Sequence, residues 1–154
     1  NLDVDIARRE VDIGVRNRRP DQPWLAGQRT GSVAYASYGR DPGVTGWITA
    51  SRRDVATPSA RWIMDHHGSD VVTAVNDPRL GVAMARAGVG RVILPTFAGD
   101  GLPGIVRLSA PIEELASEEW LVSHHEGRHD PAVRQALTAL SRFLTLRRRE
   151  EGKP

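Results

Sequence analysis

The chain has no cysteine among its 154 residues, which removes disulfides, thiolate metal sites and thiol catalysis together. A reducing, cytoplasmic setting is therefore expected. Lys153 is the only lysine, so the positive charge is almost all arginine, whose planar fork suits carboxylates and phosphates. Two Phe and two Tyr are too few for a platform on which single-stranded bases stack. No run of about 18 apolar residues occurs, so no membrane-spanning helix is expected, and no basic-then-apolar leader opens the sequence. A membrane is not expected as a partner.

With 40% apolar and 26% charged residues the chain is globular, long enough for one ordinary domain or two very small lobes around a real core. The formal net charge is +2 and the sequence pI about 9.6. Arginine is dense only at Arg16, Arg18 and Arg19 and at Arg147 to Arg149. The second cluster closes a predicted helix, where cations favour the dipole, and reads as a solvated helix end rather than a nucleic-acid surface.

Residues 124–137, HHEGRHDPAVRQAL, place His125, Glu126 and His129 in the order H-E-x-x-H of a zinc-protease helix. That spelling works only on one helical face, where two imidazoles grip a metal and the Glu works on bound water. The flanks argue otherwise. EWLVSH upstream reads as a strand, and Asp130 followed by Pro131 is a helix start, because Asp accepts free first-turn amides and Pro is favoured at the first helical position. The segment is expected to be a strand-to-helix connection, with no metal held there. Elsewhere, the serines lack a His-plus-acid context, and Glu113-Glu114 and Glu118-Glu119 read as solvated charge in polar connections. No catalytic residue is expected.

Thr57-Pro58, Asp77-Pro78 and Asp130-Pro131 share one design, a cap residue followed by Pro and then an apolar stripe at helical spacing. The stripes are Ala60, Ile63, Met64 and His67; Leu80, Ala83, Met84 and Ala87; and Val133, Ala136, Leu137, Leu140 and Leu144. The first two helices should close at Gly68 and Gly88 in the left-handed conformation. A further helix is expected at Asp3 to Arg9. Between them lie short apolar runs expected to be strands, at 12–16, 32–37, 46–50, 70–75, 91–95, 104–109 and 119–124. Their near-continuous apolar character fits strands covered on both faces, and the alternation over residues 46–95 predicts right-handed βαβ units. GDGLPG at 99–104 spells G-x-G-x-x-G, but IVRLS rather than a helix follows, so a glycine-rich connection is expected instead of a dinucleotide site. No cofactor is expected.

Taken in order, VNDPRLGVAMARAGVGRVILP, the GIVRL after it and EWLVSHHEGRHDPAVRQALTALSRFL resemble the C-terminal portion of a LysR-type transcriptional regulator. DIARREVDIGVR resembles the segment carrying that family's D-I-G-hydrophobic-R strand, and the resemblance runs unbroken from residue 2 to about 144. It implies an α/β effector-sensing domain of the type 2 periplasmic-binding-protein-like fold: two lobes, a ligand cleft between them, and crossover strands as hinges. The first lobe would be 1–38 in part, the second 39–97, and 98–154 would return to the first with a C-terminal helix. The crossovers would lie near Ser32 to Ser37 and Phe97 to Gly104. The family's winged helix-turn-helix, linker helix and first strand and helix of the first lobe would precede this sequence, leaving that lobe incomplete. DNA would be reached only through such an attached domain, and a homodimer or higher homo-oligomer is expected by analogy.

Ligands in open α/β sheets collect at the carboxyl ends of strands. By position, the resemblance implies effector contacts at Arg16 and Asn17, at Ile48 and Thr49, at Asn76, and at Pro95, Thr96 and Phe97. Arg16 at a cleft mouth would favour a small organic anion through paired, charge-assisted hydrogen bonds. The rival reading pairs Arg16 with Asp12, Asp3 or Asp5; likewise Asn76 could help cap a helix, Thr49 could be an ordinary strand residue and Phe97 core. Two other functional classes stay open, a free-standing solute-binding protein of similar fold and a zinc hydrolase.

Overall fold

The structure, a computed structural model, describes residues 11–51 and 57–151, the last five as helix backbone only. In chain order the elements are β1 (Ile13–Arg16), β2 (Leu25–Val33), β3 (Tyr35–Gly39), β4 (Trp47–Ala50), α1 (Pro58–His67), β5 (Val71–Val75), α2 (Pro78–Arg86), β6 (Val92–Pro95), α3 (Thr96–Gly99), β7 (Val106–Arg107), β8 (Ser117–His124) and α4 (Pro131–Glu151). Short 3-10 turns occupy Gly68–Asp70, Glu113–Leu115 and Gly127–His129. The helix expected at Asp3 to Arg9 lies outside the described residues.

The three cap-and-proline entries each open a helix. Thr57 Oγ1 accepts from Ala60 N at 3.3 Å, Asp77 Oδ1 from Arg79 N at 2.8 Å, and Asp130 Oδ1 from Ala132 N at 2.8 Å and Val133 N at 3.3 Å. Each side chain satisfies first-turn donors that a helix cannot satisfy itself.

The described residues divide into two compact units, 11–33 with 117–151 and 34–51 with 57–116. The first is an antiparallel sheet in the order β1-β8-β2. Leu121, Val122 and Leu144 of α4 are buried in it, and Gln28 Nε2 reaches Ser141 Oγ on α4 at 3.1 Å.

In the second unit β4 and β5 run parallel, and β4 meets the start of β6 in parallel, Ile48 N donating to Arg91 O at 2.8 Å and Arg91 N to Gly46 O at 2.7 Å. The expected strand-helix alternation over 46–95 is therefore present. β6 continues the pairing antiparallel to β3, which carries β7 on its other edge. Ala36, Tyr38, Ile48, Ala85, Val92 and Ile105 form its buried core. Each large side chain there contributes about 1.5–3 kcal/mol of burial.

Several expectations are corrected. The run expected at 32–37 is two strands, β2 and β3, and β2 starts at Leu25 because its polar-rich sequence LAGQRTGSV pairs along most of β8. The run at 104–109 shortens to β7, since Gly104 turns with φ +78°. Gly88 closes α2 with φ +79° as expected, but Gly68 has φ −56° because the chain tightens into a 3-10 turn that leads straight into β5. On α2 the buried residues are Gly81 and Ala85, while Leu80, Ala83 and Ala87 are exposed. A Cβ at Gly81 would sit 3.4 Å from Val75 Cγ2 and 3.6 Å from Val92 Cγ1, so this helix lies close on the sheet through its smallest residues. Glu118 and Glu119 stand on β8 rather than in a connection. Glu119 is buried and accepts from Thr30 Oγ1 at 2.9 Å, and Glu118 pairs with Arg29 at 3.1 Å. β3 lies in the second unit, where it pairs with β6 and β7.

Candidate ligand-binding site

The H-E-x-x-H spelling does not lie on one helix. β8 ends at His124, Gly127–His129 is a 3-10 turn, and α4 begins at Pro131. His125 Nδ1 lies 3.1 Å from Trp24 O, and Arg128 Nε donates to His129 Nε2 at 3.3 Å, so the two rings have different partners. Among the described residues no group of His, Asp or Glu is arranged to hold a metal ion. GDGLPG likewise fails its requirement. A short turn and β7 follow it, not a helix.

In the second unit the parallel strands β4, β5 and β6 bring their carboxyl ends to one edge. Thr49 is on β4, Asn76 directly follows β5, and Pro95, Thr96 and Phe97 close β6 and open α3. Strand alternation sorts the β4 residues. Ile48 is 3% exposed and packs beside Gly81 and Gly90 on the α2 side. Trp47 lies on the other face, stacked on His67 of α1 with ring centroids 4.5 Å apart and set edge-on to Trp62 at 6.0 Å. Thr49 shares that face. It is 5% exposed, yet its Oγ1 is buried with no hydrogen-bond partner. Ser117 Oγ, in the first unit, is likewise buried without a partner, and an unmet buried hydroxyl costs about 1–3 kcal/mol.

Thr96 is buried, with its amide donating to Ala34 O at 2.9 Å, and Phe97 is partly exposed. Asn76 is exposed, and the capping of α2 is done by Asp77. Arg16 and Asn17 belong to the first unit. Arg16 ends β1 half-buried, with Nη1 donating to Gln22 Oε1 at 3.3 Å, and Asn17 is exposed. Of its expected carboxylate partners, Asp3 and Asp5 lie outside the described residues.

Sequence reasoning did not single out the group that fixes α3. Tyr38 Oη donates to Asp100 Oδ1 at 2.7 Å, and Arg107 donates to the same carboxylate through Nε at 2.9 Å and through Nη2. Arg107 holds the Asp100 carboxyl below its ordinary range, with burial opposing and Tyr38 adding to the effect. Burial, then the bond to Asp100, pushes the Tyr38 hydroxyl up to about 12, so it remains a donor. The Tyr38 ring lies where a Cβ of Gly99 would fall, which closes the turn that carries Thr96 and Phe97. The signal was there only as glycine spacing in a stretch read as mere connection.

No family model and no curated protein matches the sequence. Solved structures do. The regulatory domain of MexT, a transcriptional activator of Pseudomonas aeruginosa, superposes with a TM-score of 0.66 at 18% identity, over 90% of this chain and 75% of that one. The regulatory domain of MetR, a LysR family regulator of Neisseria meningitidis, gives 0.61 at 12%, over 92% and 72%. Full-length CbnR bound to its target DNA gives 0.60 at 16% and 91% coverage, this chain spanning 55% of its length. The fold is that of LysR-type regulatory domains. Among the described residues no helix is long and apolar enough to cross a membrane.

Proposed function

We propose that this chain is the effector-sensing part of a LysR-type transcriptional regulator and that its chemistry is recognition without catalysis. The observation that carries the reading is Thr49: a hydroxyl buried without a partner, on a strand whose neighbours end with Asn76, Thr96 and Phe97. A ligand polar group that bonds to Oγ1 would remove the desolvation cost of that atom and gain affinity from it. Asn76, Pro95, Thr96 and Phe97 are proposed as further contacts, a few polar groups among apolar ones as small-molecule sites usually have.

Arg16 and Asn17, at the carboxyl end of β1 in the first unit, are proposed to recognise an anionic group, which makes the effector a small organic anion. The effector acts by binding one conformation better than another. In a longer protein this would shift attached DNA-binding domains within a cytoplasmic homo-oligomer.

The test is a thermal-shift panel of aromatic acids, amino acids and sugar phosphates. A specific anion should stabilise by about 2.7 kcal/mol at a hundredfold excess over its dissociation constant. Stabilisation by neutral compounds alone contradicts the anionic reading.

A further inference from the structure

The helix α3 is a single turn with no side-chain cap at its start, too short to hold itself in water. Its backbone bonds are few: Asp100 N donates to Thr96 O at 3.0 Å, Leu102 N to Gly99 O at 3.2 Å, and Thr96 N to Ala34 O at 2.9 Å. What fixes the turn comes from two strands. Tyr38 on β3 and Arg107 on β7 stand directly opposite each other in the antiparallel register, so their side chains leave the same face of the sheet. Both end on one carboxylate, that of Asp100, which receives the Tyr38 hydroxyl and two arms of the Arg107 fork. The Tyr38 ring is fully buried and fills the space beside Gly99, which blocks movement of the turn toward it.

Thr96 and Phe97, proposed above as ligand contacts, are the first two residues of this turn. We propose that Asp100 is a positioning residue for them: through Tyr38 and Arg107 its carboxylate holds α3 in one orientation, so that a ligand meets Thr96 and Phe97 already placed. The purpose given to the turn rests on the ligand reading; the hold on the turn does not. Bonds to an ionised group are about twice as strong as neutral ones, and a fork fixes direction as well as distance. Arg107 also keeps the Asp100 carboxyl below its ordinary range, so the group is ionised near neutral pH. A turn that sampled several orientations would lower the apparent affinity by the fraction of time spent in the competent one.

Amide hydrogen exchange in the ligand-free chain, followed by NMR, compares the unaltered protein with Asp100→Asn, Arg107→Gln and the variant carrying both. Thr96 and Leu102 report on the turn. Ile48 and Arg91, whose amides bond between β4 and the start of β6 in the same unit, report on overall stability. Each single change should speed exchange at Thr96 and Leu102 by about tenfold relative to Ile48 and Arg91. The double change should add little, because both groups act through one contact. A merely structural role would speed all four amides alike. Equal acceleration throughout, unchanged exchange at the turn, or effects that add in full would each overturn the hold. If one variant does not fold, Tyr38→Phe takes its place, keeping the ring beside Gly99 and removing only the hydroxyl.

A second arm applies the panel of aromatic acids, amino acids and sugar phosphates to the unaltered chain and to Asp100→Asn, with affinities from the concentration dependence of the thermal midpoint. The anion that stabilises the unaltered chain should bind the variant about tenfold more weakly. Equal binding overturns the positioning role and spares the ligand reading. No stabilisation of either protein by any anion contradicts the ligand reading, and with it the purpose given to the turn, while exchange still decides the hold.

Discussion

At Thr49, Gly99 and Asp100 single atoms decide what the surrounding strands and turns can do. Gly99 is confined by the Tyr38 ring, whereas a Cβ at Gly101 would meet nothing within 4 Å. Gly99→Ala should therefore cost about 1–3 kcal/mol in urea unfolding, as overpacked positions do, and Gly101→Ala should lie within about 0.5 kcal/mol of the unaltered chain. Asp100 gives a pH signature. Its carboxyl is held below the ordinary range chiefly by Arg107. A folded-state pKa below the unfolded value means that its stabilisation is full above the ordinary carboxylate range and is lost as pH falls through the folded value. The stability gap between the chain and its Asp100→Asn variant should thus narrow below about pH 4, measured by urea midpoints from about pH 6 to about pH 3. A gap that does not change with pH contradicts the ion-pair account.

Elements whose signal is local were legible from sequence alone. A cap residue followed by Pro opened α1, α2 and α4 where expected, because the capping oxygen and the pre-set φ act within one turn. β2 was largely missed, since LAGQRTGSV has little apolar alternation and is held by pairing to β8, about ninety residues away in sequence. The stripe of α2 was assigned to its larger side chains, but close approach to the sheet is made by Gly81 and Ala85. This predicts an inverted sensitivity: Leu80→Ser should change stability by less than about 0.5 kcal/mol, and Ala85→Leu should cost about 1–3 kcal/mol, read from thermal unfolding. The candidate site was legible only through position in a resembled family. Nothing in the sequence marks the Thr49 hydroxyl as unpartnered, because that depends on packing by elements remote in the chain.

For the molecule as a whole, the fold is that of LysR-type regulatory domains, with parallel strands in the second unit and an antiparallel sheet in the first. On the proposed reading, the polar side chains at the strand ends serve a binding surface, and recognition there needs no catalytic group. Thr49→Val separates that account from a purely structural one, since it keeps the shape and removes the hydroxyl. If Thr49 awaits a ligand, the variant without ligand should be as stable as the unaltered chain or more so, because a buried unmet polar atom is gone. The decisive measurement is the shift in thermal midpoint that the best organic anion gives to the unaltered chain and to Thr49→Val. The account predicts a clear rise for the first and a much smaller one for the second. Equal shifts in both proteins would contradict it.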